Sequence, residues 1–148
     1  MDAAVRQPDL SVYYNANPYN GAISNKTPLS YDEKILCTLY TSPELTQQIG
    51  NLIFDNTIYS QTNVEIVREN NMIVVLPFGT LFAQRTIRSR ETLIAILNVN
   101  PTNSLMVANT IGIYTILSGN EDFIGSKGYV TITTNNTSIR RLDIWLDK

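Results

Sequence analysis

Short apolar runs rich in β-branched residues alternate with clusters of Asn, Pro, Gly and Ser along most of the chain. Runs of this length, separated by turn chemistry at short intervals, predict an all-β sandwich or barrel. Eight runs stand out: 35–40, 49–59, 64–68, 72–87, 92–99, 105–117, 129–134 and 141–146. The last is the clearest. Leu142, Ile144 and Leu146 share one face of a strand, and Arg141, Asp143 and Trp145 share the other. Asn70-Asn71 and Asn135-Asn136 suit hairpins, because Asn tolerates positive φ, and Asn100-Pro101 suits a turn where a ladder must stop. Pro77 and Gly79 predict a bend inside the long fourth run. Ser42-Pro43-Glu44 has the cap, proline and early acid of a helix start, with Gly50 ending that helix within two turns.

Composition reinforces the all-β reading and removes most chemistry. The 148 residues suffice for one domain with a full core. Asn and Thr each occur 16 times and Ile 17 times, while only 16% of residues are charged. That neutral coat fits strands and turns better than charged helical surfaces. The chain has no His, which excludes His-bearing triads and His metal sites. Cys37 is the only cysteine, so an internal disulfide and a multi-cysteine zinc site are excluded as well. Its apolar neighbours predict a small core residue rather than a reactive thiol. A net charge of −2 gives no cationic face for nucleic acid. No apolar run is long enough to span a membrane, and no signal segment opens the sequence. The expected location is therefore inside the cell or in a virion, without a metal or cofactor.

Residues 1–34 differ from the remainder. They are rich in Asn, Pro and Tyr and lack a sustained period, which predicts an extended N-terminal arm followed by a β-barrel domain over 35–148. Tyr13, Tyr14 and Tyr19 are the residues with which such an arm would dock on a partner or back on its own barrel, since Tyr offers large contact area at low entropic cost. Arg85, Arg88 and Arg90 are read as a solvated hairpin tip. Asp55, Glu65, Glu121 and Asp122 are the acids available for acid–base work, and Asp55, beside Ile53 and Phe54, is the one that strand twist could turn toward a lumen. The stretch from Gly119 to Lys127 lacks the order of a phosphate-binding loop and leads into a strand.

The segment from Ser118 to Ile132 is a polar, Gly-punctuated connection carrying one aromatic, Phe123, placed to plug an opening in the core. It resembles the dirigent and allene oxide cyclase-like barrels. Those proteins carry a Gly-Gly-Thr-Gly-Asp-Phe connection and then a small-Arg-Gly step into the penultimate strand. Gly119, Asp122, Phe123, Gly125 and Gly128 hold the corresponding positions, and 49–56 and Phe78-Gly79-Thr80-Leu81 are similar to earlier strands of the family. The resemblance implies a single eight-stranded antiparallel β-barrel, extended here by the arm. Two departures bear on function. Glu121 replaces a family Gly, and Lys127 replaces the Arg, losing its bidentate fork, so no catalytic role carries over.

Two functions follow as expectations. The first is a non-enzymatic assembly protein whose barrel packs in a larger oligomeric complex while the arm docks on a neighbouring protein subunit. The Asn- and Ile-rich, A/T-compatible composition suits a minor, cement-type capsid protein of a large DNA virus. The alternative, permitted by the resemblance, is a cofactor-free barrel that binds or cyclises a small apolar ligand, with Asp55, Phe123 and Lys127 as its contacts.

Overall fold

The computed structural model describes residues 6–16, 21–24, 30–60, 66–89, 111–136 and 138–147. Nine antiparallel strands account for most of them: β1 (Leu10–Asn15), β2 (Gly21–Ser24), β3 (Ser30–Tyr40), β4 (Gln48–Ser60), β5 (Ile66–Leu76), β6 (Gly79–Ser89), β7 (Gly112–Gly119), β8 (Gly128–Thr134) and β9 (Ile139–Leu146). From β3 to β9 each strand pairs with the next in sequence. β1 then pairs with β9 from Leu10↔Ile144 to Asn15↔Ile139, and with β3 at Tyr13↔Tyr40. The expected eight-stranded antiparallel barrel is therefore present, built of β1 and β3–β9, and its closure gives each of these strands two neighbours. β2 lies on the same edge of β3 as β1, in register from Gly21↔Ile35 to Ser24↔Asp32.

The boundary between an extended arm and a barrel starting at residue 35 needs correction, because residues 10–15 dock back on the barrel as its closing strand. Val12, Tyr14 and Ala16 face inward and are buried, whereas Ser11, Tyr13 and Asn15 stay half-buried on the outer side. This is ordinary period-two alternation, and Tyr is a good strand former. Outside the barrel, Asp143 of β9 accepts hydrogen bonds from Ser11 Oγ at 2.5 Å and from Arg141 Nε at 2.9 and 3.0 Å, which ties β1 to β9. The hydrogen bond to Asp143 raises the pKa of Arg141 further.

Several turn expectations also shift. Asn70 and Asn71 lie within β5, which joins the 64–68 run to the start of the 72–87 run. The latter run is split at Pro77-Phe78, a two-residue turn flanked by the Leu76↔Gly79 pair, so Pro77 ends a strand instead of bending one. Ser42-Pro43-Glu44 forms a turn rather than a helix, and Gly50 belongs to β4. Asn135-Asn136 does connect β8 to β9, with Asn136 Oδ1 accepting from the backbone N–H groups of Ser138 and Ile139. Run 92–99 and Asn100-Pro101 lie outside the described residues.

The centre of the barrel is filled by side chains, as an eight-stranded barrel allows. Tyr14, Phe54 and Tyr114 form an aromatic series across it, with ring centroids 6.4 Å apart in each successive pair. One end is occupied by Phe123, carried on a short 3-10 turn (Glu121–Phe123) and held 5.7 Å from the Phe78 ring. The turn is pinned by Asn120, whose N–H donates to Thr80 O and whose Oδ1 accepts from Thr80 N–H. Gly79 is required beside it, since a Cβ there would lie 2.7 Å from Phe123 Cδ2. The plugging role expected of Phe123 is thus what the fold uses.

Cys37 is partly buried against the core, and desolvation pushes its thiol up to about 12. Because the folded value lies above the unfolded one, its contribution to stability is complete below about pH 9 and declines as pH rises toward 12. We expect native protein at pH 8 to be alkylated by iodoacetamide on the order of 10³-fold more slowly than unfolded protein. Stability of Cys37→Ala should fall less steeply than that of the parent between pH 9 and 12, as followed by denaturant titration. Deleting residues 1–33 is expected to abolish cooperative unfolding, because it removes the closing strand and Tyr14. An unchanged thermal transition would restore the arm reading.

Candidate functional site

Strand parity decides which side chains enter the lumen. On β4 the inward series is Leu52, Phe54, Asn56; on β5 it is Asn70, Met72, Val74; on β6 it is Leu81, Ala83 and then Arg85. Asn56 is the register partner of Asn70, and Asn70 that of Arg85. Three polar residues on adjacent strands therefore form one row around the barrel. On β3 the register partner of Asn56 is Glu33. Directly below the row, toward the Phe123 end, Phe54, Met72 and Ala83 form a buried apolar row in the same register.

Asn56 and Asn70 are both 0% exposed, and neither Oδ1 nor Nδ2 of either residue has a hydrogen-bond partner among the described residues. Arg85 Nη1 donates to Ile111 O at 2.5 Å, and its Cζ lies 4.8 Å from the centroid of the Tyr114 ring. Its Nε and Nη2 are shielded from solvent and likewise unpartnered among the described residues. Gly112, with φ +152°, makes room for this guanidinium: a Cβ there would collide with Arg85 Nη1. Burial raises the pKa of the Tyr114 phenol, and the neighbouring charge of Arg85 opposes that rise.

Six polar atoms on three adjacent residues are thus buried without partners among the described residues. An unmet buried polar group costs about 1–3 kcal/mol. Six of them together approach the whole stability of a small domain, roughly 5–15 kcal/mol. A cluster on that scale marks a place where groups beyond the described residues complete the hydrogen bonds.

The residues chosen from sequence as ligand contacts do not meet. Asp55 is exposed on the outside of β4, because Phe54 and Asn56 take the inward positions, and its backbone O accepts from Asn71 Nδ2 at 3.2 Å. Phe123 is buried at the opposite end of the lumen. Lys127 is exposed on the connection into β8, where its O accepts from Asp147 N–H at 2.8 Å. Of the partner-binding tyrosines, Tyr14 is core, Tyr13 is half-buried on the outer face and Tyr19 lies outside the described residues. Arg85 is not part of a solvated tip; it is mid-strand and turned inward, and Arg90 lies outside the described residues. The signal that would have found Asn56, Asn70 and Arg85 is parity with Phe54, Met72 and Ala83.

A concavity lies outside the barrel. β8 pairs with β7 only from Gly112 to Thr115, so the Ile116–Gly119 end of β7 parts from β8. The resulting groove, about 760 Å³, is lined by Ile113, Leu117, Gly125, Lys127 and Tyr129 among others. Ile113 is 67% exposed and Leu117 60%. Among the described residues, no group of three His, Cys, Asp or Glu side chains could hold a metal ion, and no helix is long and apolar enough to cross a membrane.

In comparison with known proteins, no family model matches the chain and no curated protein aligns with it. A solved structure described as pyocyanin demethylase is similar in fold, with a TM-score of 0.59 over 93% of this chain and 98% of that one. The two are 13% identical, so the likeness establishes the barrel architecture alone.

Gly112→Ala tests the packing of the row. It is expected to lower stability by about 1–3 kcal/mol, through strain at positive φ and displacement of Arg85 from Tyr114. Denaturant unfolding, together with a shift of the Tyr114 absorbance titration, provides the measurement.

Proposed function

We propose that the chain is a small-molecule-binding barrel whose ligand sits in the lumen against Asn56, Asn70 and Arg85. The observation that carries this reading is the set of six buried polar atoms, unpartnered among the described residues, in one strand-to-strand row. Ligand sites of this kind are mostly apolar, with a few convergent polar groups that fix orientation. The row supplies such polar groups, with Tyr114 against Arg85 and the buried apolar row Phe54, Met72 and Ala83 next to it in register. The resemblance to dirigent and allene oxide cyclase-like barrels supports the same reading, since those proteins work on small molecules without a cofactor. So does the structural neighbour, a barrel of this architecture named for the demethylation of pyocyanin.

A role in assembly is the second reading, and a different surface favours it. Ile113, Leu117 and the 76%-exposed Ile124 lie on or beside the outer groove, and an apolar patch of this kind suits contact with another protein subunit. The incorporation of β1 in its own barrel removes Tyr14 from that role. A capsid function rests on composition alone.

The lumen reading makes an unusual stability prediction. If the asparagines serve a ligand, replacing both by the similarly sized Leu relieves their desolvation, so Asn56→Leu/Asn70→Leu should be more stable than the parent by about 1–3 kcal/mol. That gain corresponds to about 2–4 °C in Tm per kcal/mol. The double variant should also lose every thermal shift produced by small organic ligands. A variant destabilised by about 2 kcal/mol or more would show that the amides hold the fold, and the lumen reading would fall.

A further inference from the structure

The geometry points to the chemical class of the ligand: we infer that the Nε–Nη2 edge of Arg85 receives the carboxylate of a small monoanionic organic acid inside the barrel. This inference rests on the lumen being the ligand site. Arg85 has two faces in the structure. Nη1 is used internally, on Ile111 O, and Tyr114 fixes the plane of the guanidinium. Nε and Nη2, adjacent and parallel donors, are the two nitrogens left without solvent and without a partner among the described residues. That pair is a side-on fork matched to the two oxygens of a carboxylate, and charge-assisted bidentate pairing is among the strongest polar contacts available to a protein.

The neighbours define the rest of the molecule. Asn70 is one strand spacing from Arg85 and Asn56 is two, so the row spans roughly 10 Å, within reach of one small ligand. Both amides are neutral and can donate or accept, which suits a hydroxyl, carbonyl or second face of the same acid. Arg85 is the one charged residue of these three, and its single charge matches one carboxylate; Glu33 holds the next register position, beyond Asn56 on β3. Phe54 and Met72 beneath the row present an apolar floor to a ring or short chain. A buried guanidinium with an unpaired edge is costly, and a carboxylate is the partner that removes that cost most completely.

The experiment is a calorimetric and NMR titration of the full chain with benzoate and hexanoate, and with benzamide and hexanamide as neutral matches. We expect the acids to bind at least tenfold more tightly than their amides and to move the Arg85 Nε–H resonance. Arg85→Gln should lose at least tenfold for the acids with no change for the amides. Arg85→Lys, which keeps the charge without the fork, should not restore it. The native-chain resonance shift keeps the test decisive even where a variant folds poorly. Equal binding of acid and amide, or acid binding that leaves the Arg85 resonance unmoved, overturns the carboxylate assignment. In that case loss of binding in Asn56→Leu/Asn70→Leu would leave the lumen reading standing. Absence of binding by all four probes, with ordered water alone on the row in a crystal structure, overturns both.

Discussion

A closed sheet divides every strand into an inside and an outside, and with a side-chain period of two there is no third place for a residue to go. Most of what distinguishes this protein follows from that constraint. Once Phe54 and Met72 are committed to the core, Asn56 and Asn70 must also face inward, and Asp55 must face out. Arg85 follows Leu81 and Ala83 by the same count. The polar row is therefore not an accident of side-chain placement that a rotamer change could undo. Moving it would require a one-residue slip of β4, β5 or β6, which would expel the aromatic and aliphatic core with it.

That constraint also explains how much of the molecule is legible in its sequence. The strand-rich class and the plugging aromatic can be read from runs and spacings, because apolar alternation specifies strands and a lone Phe in a polar connection has only the core in which to bury its ring; the eight-stranded barrel is implied by the family resemblance. The strand inventory is less legible. Asn70-Asn71 carries the chemistry of a turn, and only its pairing with Asn56-Asp55 and Gln84-Arg85 keeps it in a continuous strand. β1 is hidden by composition: Pro, Asn and Tyr suggest an arm, although Val12, Tyr14 and Ala16 alternate with polar neighbours as in any edge-paired strand. Ser42-Pro43-Glu44 has a helix-start pattern with too few apolar residues behind it to bury a helical face.

The site escapes a sequence reading for a chemical rather than a geometric reason. Carboxylates and a loop lysine attract attention as reactive groups, whereas two asparagines in an Asn-rich chain look like surface coat. Their significance appears only when burial and hydrogen bonding are known, since an amide is inconspicuous in water and conspicuous in a core. The same distinction separates the two ends of the barrel. At one end, Phe123 completes the core beside the exposed ring of Phe78, and the backbone amides of Asn120, Asp122, Phe123 and Ile124 all donate to carbonyls. At the other, the core stops at Tyr114 and gives way to polar groups without partners among the described residues. Apolar closure and polar groups unpartnered among the described residues thus lie at opposite ends of one cylinder.

Closure by β1 has a consequence in time as well as in space. Its ladder joins Leu10 to Ile144 and Ser11 to Asp143, pairing one end of the barrel sequence with the other. During synthesis the first barrel strand emerges long before its main partner exists. It must stay unpaired along that edge until β9 leaves the ribosome, since the single Tyr13↔Tyr40 pair gives β3 little hold on it. Hairpins β3–β4 and β5–β6 can form from local contacts, but the cylinder closes only once β9 is available to β1. Folding should therefore end in one slow, non-local step that pays loop-closure entropy last. Until that step the nascent chain presents an open sheet whose β3 edge is covered only in part by β2, a form exposed to pairing with another copy.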